Sequence, residues 1–325
     1  MLQRLLIKKS VNEALLLFLA CGLMLFSFCW ARVWITCQFE LDKFAPLLKQ
    51  FKAFERFAPV PLEQLLTYTG SIAMTFNEPV LILCIVVWCI SRGSDVVSGE
   101  IGRGTMEMLL AQPITRFRLL ATHAGVTTVG LALLCFLVWL GIYCGIHTNT
   151  VKETIAPSID LKLPFIPVEV PIPVGESKVV QRNLADKVSA SLFVAPAINL
   201  FAFGFFLQSL SSLFSCCDRY RWRAIGVVIG IYVVELLMFL LSRATDWTKF
   251  VGYFSFFSLY QPDGIVQVVN RHPEAASEFV SSFEVPGWSY YLGPMGMSAL
   301  LVSFGIVFYL VGLARLSRRD MPAPI

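Results

Sequence analysis

Few side chains in this 325-residue chain are placed to do chemistry. Its three histidines, His123, His147 and His272, have no paired serine, and no HExxH or GxSxG motif occurs. A nucleophile–base pair therefore has no starting point. No GxxxxGK[ST] loop is present to cradle a nucleotide phosphate. The nine cysteines include no CxxC pair and no Cys/His ligand spacing, which speaks against a zinc site. Most sit in apolar runs as small hydrophobes. Cys37 and Cys144 fall near one membrane face, where pairing stays open. No metal, cofactor or catalytic residue is expected.

Two other sets of ionisable residues stand out. Glu100, Arg103 and Glu107 fall within about 60° of one another on a helical wheel. Arg103 and Glu107 are spaced to pair at i,i+4. Ile101, Thr105, Met108 and Leu109 occupy the other side. The pattern predicts a short helix over about 98–112 with a narrow charged stripe on an apolar body. Pro113 stops it and Thr115 is placed to cap the helix that follows. The second set is Glu235 alone, in the middle of an apolar run. A carboxylate at bilayer depth is a functional suspect by default. Gly226 and Gly230 lie on a different stripe, Gly230 about 140° around from it. Glu235 is expected to face the bundle or a partner and to border a transport path, or else to hydrogen-bond between helices.

The elements that must position these residues are membrane spans. The chain is 56% hydrophobic and 15% charged, with 27 Phe and 7 Trp. A soluble domain carries roughly 25% charged residues. Six runs reach the roughly 20 residues that a spanning helix needs: 14–35, 72–91, 119–146, 190–215, 224–242 and 291–313. Six spans put both termini on one side. The segments there (1–13, 92–118, 216–223, 314–325) hold 13 Lys and Arg in about 60 positions. The opposite segments spread a comparable number over about twice that length, so the denser side is read as cytoplasmic. Segments 36–71, 147–189 and 243–290 are then extracytoplasmic. Within them, Leu41–Phe57 reads as an interfacial amphipathic helix. The five prolines of 157–173 predict extended backbone. Short helices at the interface are expected in 247–291.

The stretch Glu100-x-x-Arg103-Gly104-Thr105-x-Glu107-x-Leu109-Leu110-x-x-Pro113-x-Thr115-Arg116 resembles the signature of ABC-2 type transporter permeases. That signature reads approximately E-x-x-x-G-T-x-E-x-L-L-x-x-P-[VIL]-[ST]-R and lies between the second and third spans. The Arg-rich turn Ser212–Ala224 is a weaker likeness. The resemblance implies an all-α integral membrane protein, a single domain over 1–325. It implies a permease in the cytoplasmic (inner) membrane of a bacterium, exporting a substrate. ATP and Mg would be bound by a separate cytoplasmic ABC ATPase. A second permease copy or paralogue would complete a dimer. The signature residues would form a coupling helix seated on that ATPase. Membrane lipid is the other partner implied, and nucleic acid is not. A non-transporting anchor with the same fold, or an intramembrane enzyme, are the other classes considered.

Overall fold

The computed structural model describes residues 2–38, 67–112, 115–155, 158–162, 169–173, 178–244, 246–281 and 292–318. The amphipathic reading of Leu41–Phe57 lies outside them, as does Pro113.

The chain opens with α1 (Leu2–Gln38), which continues well below its apolar run because the basic first turns remain helical. Next comes α2 (Tyr68–Ala73), whose N-terminal Gly70 amide is capped by the Thr67 hydroxyl at 3.1 Å. A 3₁₀ turn (Met74–Asn77) leads into α3 (Pro79–Ser94), with Pro79 in its first turn, where a missing N–H costs nothing. A π turn (Asp95–Gly99) and a single α turn (Glu100–Gly102) follow, then α4 (Met106–Leu110). Helix α5 (Arg116–Thr148) starts at a Thr115 cap, whose hydroxyl accepts from Arg118 N at 3.3 Å.

Four strands interrupt the helices among the described residues. β1 (Thr150–Ile155) pairs antiparallel with β4 (Lys178–Asn183), and β2 (Ser158–Lys162) with β3 (Glu169–Pro173). Within 157–173, the described residues 158–162 and 169–173 are extended and pair with each other; 157 and 163–168 lie outside the described residues. Pro171 and Pro173 alternate along β3, opposite Asp160 and Ser158. In a two-stranded ladder both strands are edges, so prolines two apart can turn their missing donors outward.

The second half holds α6 (Val194–Cys217), α7 (Arg221–Ala244), α8 (Pro262–Arg271) and α9 (Pro294–Arg318). Between α7 and α9 lie 3₁₀ turns at Asp246–Phe254, Phe256–Leu259 and Pro273–Ser277.

Six helical stretches among the described residues are long and apolar enough to cross a membrane: Arg4–Gln38, Tyr68–Gly102, Arg116–Thr148, Ala190–Cys217, Arg221–Ala244 and Pro294–Arg318. Large apolar residues face outward, such as Leu16, Leu23, Leu237 and Leu310. Inside, Trp88, Leu131, Ile142, Phe203 and Leu301 form one core. Polar side chains tie helices across it. Asn199 Nδ2 donates to Leu259 O at 3.0 Å and Ser298 Oγ at 3.2 Å. Gln208 Nε2 donates to Thr128 Oγ1 at 3.0 Å and Tyr309 Oη at 2.6 Å. Without water as competitor, such bonds and close packing hold membrane helices together. None of the nine cysteines forms a disulfide, Cys37 and Cys144 included.

Helices α3 and α6 approach each other closely. A Cβ on Gly93 would lie 2.6 Å from Gln208 O and 2.6 Å from Ser211 Cβ. One of these atoms is backbone and cannot rotate away. Gly93→Ala should therefore cost about 1–3 kcal/mol by overpacking. Thermal unfolding in detergent measures it, and an unchanged midpoint would contradict this packing.

Candidate functional site

The stretch read from sequence as one helix over 98–112 is not one helix. Arg103, Gly104 and Thr105 break it, and the break has a definite geometry. Gly104 has φ +69°, a left-handed conformation that glycine adopts without strain. Gly104 N donates to Ile101 O at 3.0 Å and Thr105 N to Glu100 O at 3.1 Å. These two bonds make a Schellman C-cap, with Gly104 and Thr105 as its first two residues beyond the helix. The chain then restarts as α4, with Leu109 N bonding to Thr105 O at 3.1 Å. The Gly-Thr pair of the signature is thus a helix stop.

The charged groups also pair differently. Arg103 does not stand ready only for Glu107, whose side chain, like that of Leu110, lies outside the described residues. Its guanidinium grips Asp95 with both nitrogens, at 2.7 Å to Oδ1 and 3.3 Å to Oδ2, and reaches Glu100 Oε1 at 2.9 Å. Burial opposes the charge on Arg103, but its bonds to Asp95 and Glu100 outweigh that and hold its pKa above the ordinary value.

Asp95 is the centre of this network. Its side chain is 4% exposed, and Arg92 and Arg221 each approach it at 3.3 Å as well. Asp95 opens the π turn, where Gly99 keeps room for its carboxylate: a Cβ there would collide with Asp95 Oδ1. A π turn displaces helical backbone bonds, and Ser215 of α6 makes some of them good. Its hydroxyl accepts from Val97 N at 3.2 Å and Ser98 N at 3.0 Å, and donates to Ser94 O at 2.9 Å.

Arg92, with its side chain also 4% exposed, reaches the other way. Its Nη2 donates to Ser10 O at 3.3 Å and to His123 Nε2 at 3.2 Å. Arginine only donates, so His123 is the acceptor here and a packing histidine. Glu100 takes Lys9 Nζ on both oxygens, at 2.9 and 2.8 Å, and also accepts from the Thr105 hydroxyl. Arg116 Nη1 donates to Leu316 O at 2.6 Å and Ser317 O at 3.1 Å, carbonyls at the end of α9.

Together these contacts join the 95–116 segment to all six spanning helices: α1 through Lys9, α3 through Arg92, α5 through His123 by way of Arg92, α6 through Ser215, α7 through Arg221 and α9 through Leu316. An apolar underside holds it down, with Met106 buried against Val96, Val97, Leu120 and Leu316, and Leu109 packed alongside. Met106 rather than Met108 is the anchor. Met108 is 71% exposed, and Phe117 at the start of α5 is 60% exposed.

Glu235 is not part of this network. It lies toward the far end of α7, where Oε2 accepts from Phe256 N at 3.2 Å and its carbonyl accepts from Ser255 Oγ at 2.9 Å. It thereby fixes the 3₁₀ turns onto α7.

Of the signature residues, Glu100, Arg103, Gly104, Thr105, Leu109, Thr115 and Arg116 are brought into this one locus. Sequence reasoning missed Asp95, Lys9, Arg92, Arg221 and Ser215. The legible signal was the Arg92/Asp95 pair, three apart at the edge of an apolar span. No group of His, Cys, Asp and Glu among the described residues is arranged to hold a metal ion.

Comparison with known families matches residues 16–321 to the model described as ABC-2 family transporter protein. Comparison with curated proteins gives no match. A family match over nearly the whole chain, on a bundle with six helices able to span a membrane, establishes that this chain belongs to the ABC-2 transporter family and is a multi-pass membrane permease of the ABC transporter type.

Proposed function

We propose that this permease exports a substrate with energy from ATP hydrolysed by a separate cytoplasmic ABC ATPase, which docks on the 95–116 segment. The end of the bundle that carries Lys9, Arg103 and Arg221 faces the cytoplasm, as the density of basic residues argues. The single observation that carries the reading is the tie between that segment and all six spanning helices. A subunit that pushes on the segment moves all of them, whereas a plain loop helix would move its neighbours only. Glu100, Arg103, Gly104 and Thr105 set the shape of the segment. Met108 supplies outward contact, the signature's Glu107, Leu110 and Pro113 are assigned to the same docking region by the resemblance, and Thr115 and Arg116 start α5.

Two permeases form the working unit. In support of this, α7 buries only Ala224 and Val228, and a Cβ on Gly226 or Gly230 would meet nothing within 4 Å. A helix so little covered, with glycines four apart open to the outside, suits a second copy or a paralogue. Glu235, on the same helix, borders the transport path.

Met108→Asp tests the docking. Its side chain is exposed, so the fold should be kept. An apolar anchor lost from an interface costs about 2 kcal/mol or more, and co-purification with the ATPase should fall about tenfold or more. Glu107→Lys should likewise uncouple or detach the ATPase while the permease folds. Unchanged co-purification and unchanged ATP turnover in both variants would refute the docking site.

A further inference from the structure

Helices α1 and α5 run side by side in the same direction, but their separation is not constant. Over their outer halves they touch closely. A Cβ on Gly22 would be 3.0 Å from Leu137 Cδ1, one on Gly141 2.8 Å from Phe26 O, and one on Gly145 2.7 Å from Val33 Cβ. Toward the basic end they part. A Cβ on Gly125 would meet nothing within 4 Å. The gap is a crevice of about 770 Å³. Its floor is Trp88, seated on Gly130 and in edge contact with Phe18 at 5.9 Å. Ile7, Val11 and Leu15 form one wall and Phe117, Val126 and Leu133 the other.

From Ile7 to Phe18 the crevice runs about 16 Å along α1. One leaflet's hydrocarbon is about 15 Å deep, half of the bilayer core. The mouth is cationic. Arg118 lines it, and Arg4 extends the α1 wall by one turn, on the stripe of Ile7, Val11 and Leu15. Lys8 lies beside that stripe. All three are exposed, and among the described residues no ion pair engages any of them. Glu13, the nearest carboxylate along α1, points about 160° away from the stripe and pairs with Lys9.

We propose that this crevice seats an anionic phospholipid, with an acyl chain over Trp88 and its phosphate between Arg118 and Arg4. An apolar crevice open to hydrocarbon is filled by a lipid chain, and a rim of cations at headgroup depth selects the charge of the headgroup. The lipid holds α1 and α5 apart beneath the Lys9–Glu100 contact, so it braces the segment proposed above to bind the ATPase. Only this last consequence rests on that reading; the seat itself does not.

The test replaces Phe117, at the rim, by photoreactive benzoyl-phenylalanine. The full-length protein is placed in nanodiscs of equimolar phosphatidylglycerol and phosphatidylcholine, irradiated, and the adducts weighed by mass spectrometry. Phosphatidylglycerol adducts should exceed phosphatidylcholine adducts by about fivefold or more, the expected gain from one cation at a membrane surface. Arg4→Gln with Arg118→Gln should bring the ratio to about one. Gly125→Leu, whose Cβ would meet nothing within 4 Å, puts its side chain into the crevice and should lower both adducts. A ratio near one in the unsubstituted background, or one that the paired Gln variant leaves unchanged, would overturn the proposal. So would an adduct with the mass of a second copy of the chain, which would make the crevice a protomer interface. None of these readouts needs ATP or the ATPase.

Discussion

Asp95→Asn should cost the protein about 3–5 kcal/mol of stability, because it breaks a buried ionic network at its centre. Three arginines converge on the Asp95 carboxylate, and Arg92 is as buried as Asp95 itself. An amide of the same shape presents its NH₂ to donors and no negative charge to balance them. Arg92 would then remain in the interior with only Ser10 and His123 as neutral acceptors. The folded fraction after detergent extraction should fall sharply, and the unfolding midpoint with it. Asp95→Asn combined with Arg92→Gln should recover part of the loss, since the stranded charge goes too. A single variant that unfolds at the wild-type midpoint would show that the network carries no weight.

Glu100→Gln should act on coupling more than on folding. Asp95 still grips Arg103, and Met106 and Leu109 still pin α4, so the segment stays docked. What goes is the charged contact to Lys9 of α1, both of whose bonds are made by the Glu100 carboxylate. Charged hydrogen bonds of this kind contribute about 1.5–3 kcal/mol. With that contact weakened, α1 is left to the Arg92–Ser10 bonds, and motion of the segment reaches it less. ATPase should still co-purify, while permease-dependent stimulation of ATP turnover drops about tenfold, the effect of losing about 1.4 kcal/mol of coupling. Stimulation at the wild-type level would remove Glu100 from the coupling route.

Much of this architecture was legible in the residues. Six apolar runs located six spanning helices, because burying backbone in lipid leaves a long helix as the simple solution. Helix ends were less legible. The apolar count marks where hydrocarbon begins, yet α1 starts at Leu2 since its basic turns stay helical in the headgroup region. The break at Gly104 was readable in principle, glycine being the usual residue just past a helix C-terminus, but the continuing 3.6-residue pattern of Ile101, Thr105 and Met108 masked it. Asp95 was hidden for a different reason. Its partners Arg92 and Arg103 are near in sequence, but Arg221 and the supporting Ser215 arrive from α7 and α6, and no local pattern announces them. The prolines of β3 pointed to extended backbone without saying with which strand it pairs.

The most direct test of docking at 95–116 is a photocrosslink from its exposed apolar residue. With benzoyl-phenylalanine at Met108, the complex is irradiated in native membranes and then labelled with 8-azido-ATP. The same is done with the photoreactive group at Phe279, which is 61% exposed at the opposite end of the bundle. The account predicts an adduct from position 108 whose added polypeptide carries the ATP label, and none from position 279. An adduct at 108 without the ATP label, no adduct, or equal labelled adducts from both positions would contradict it.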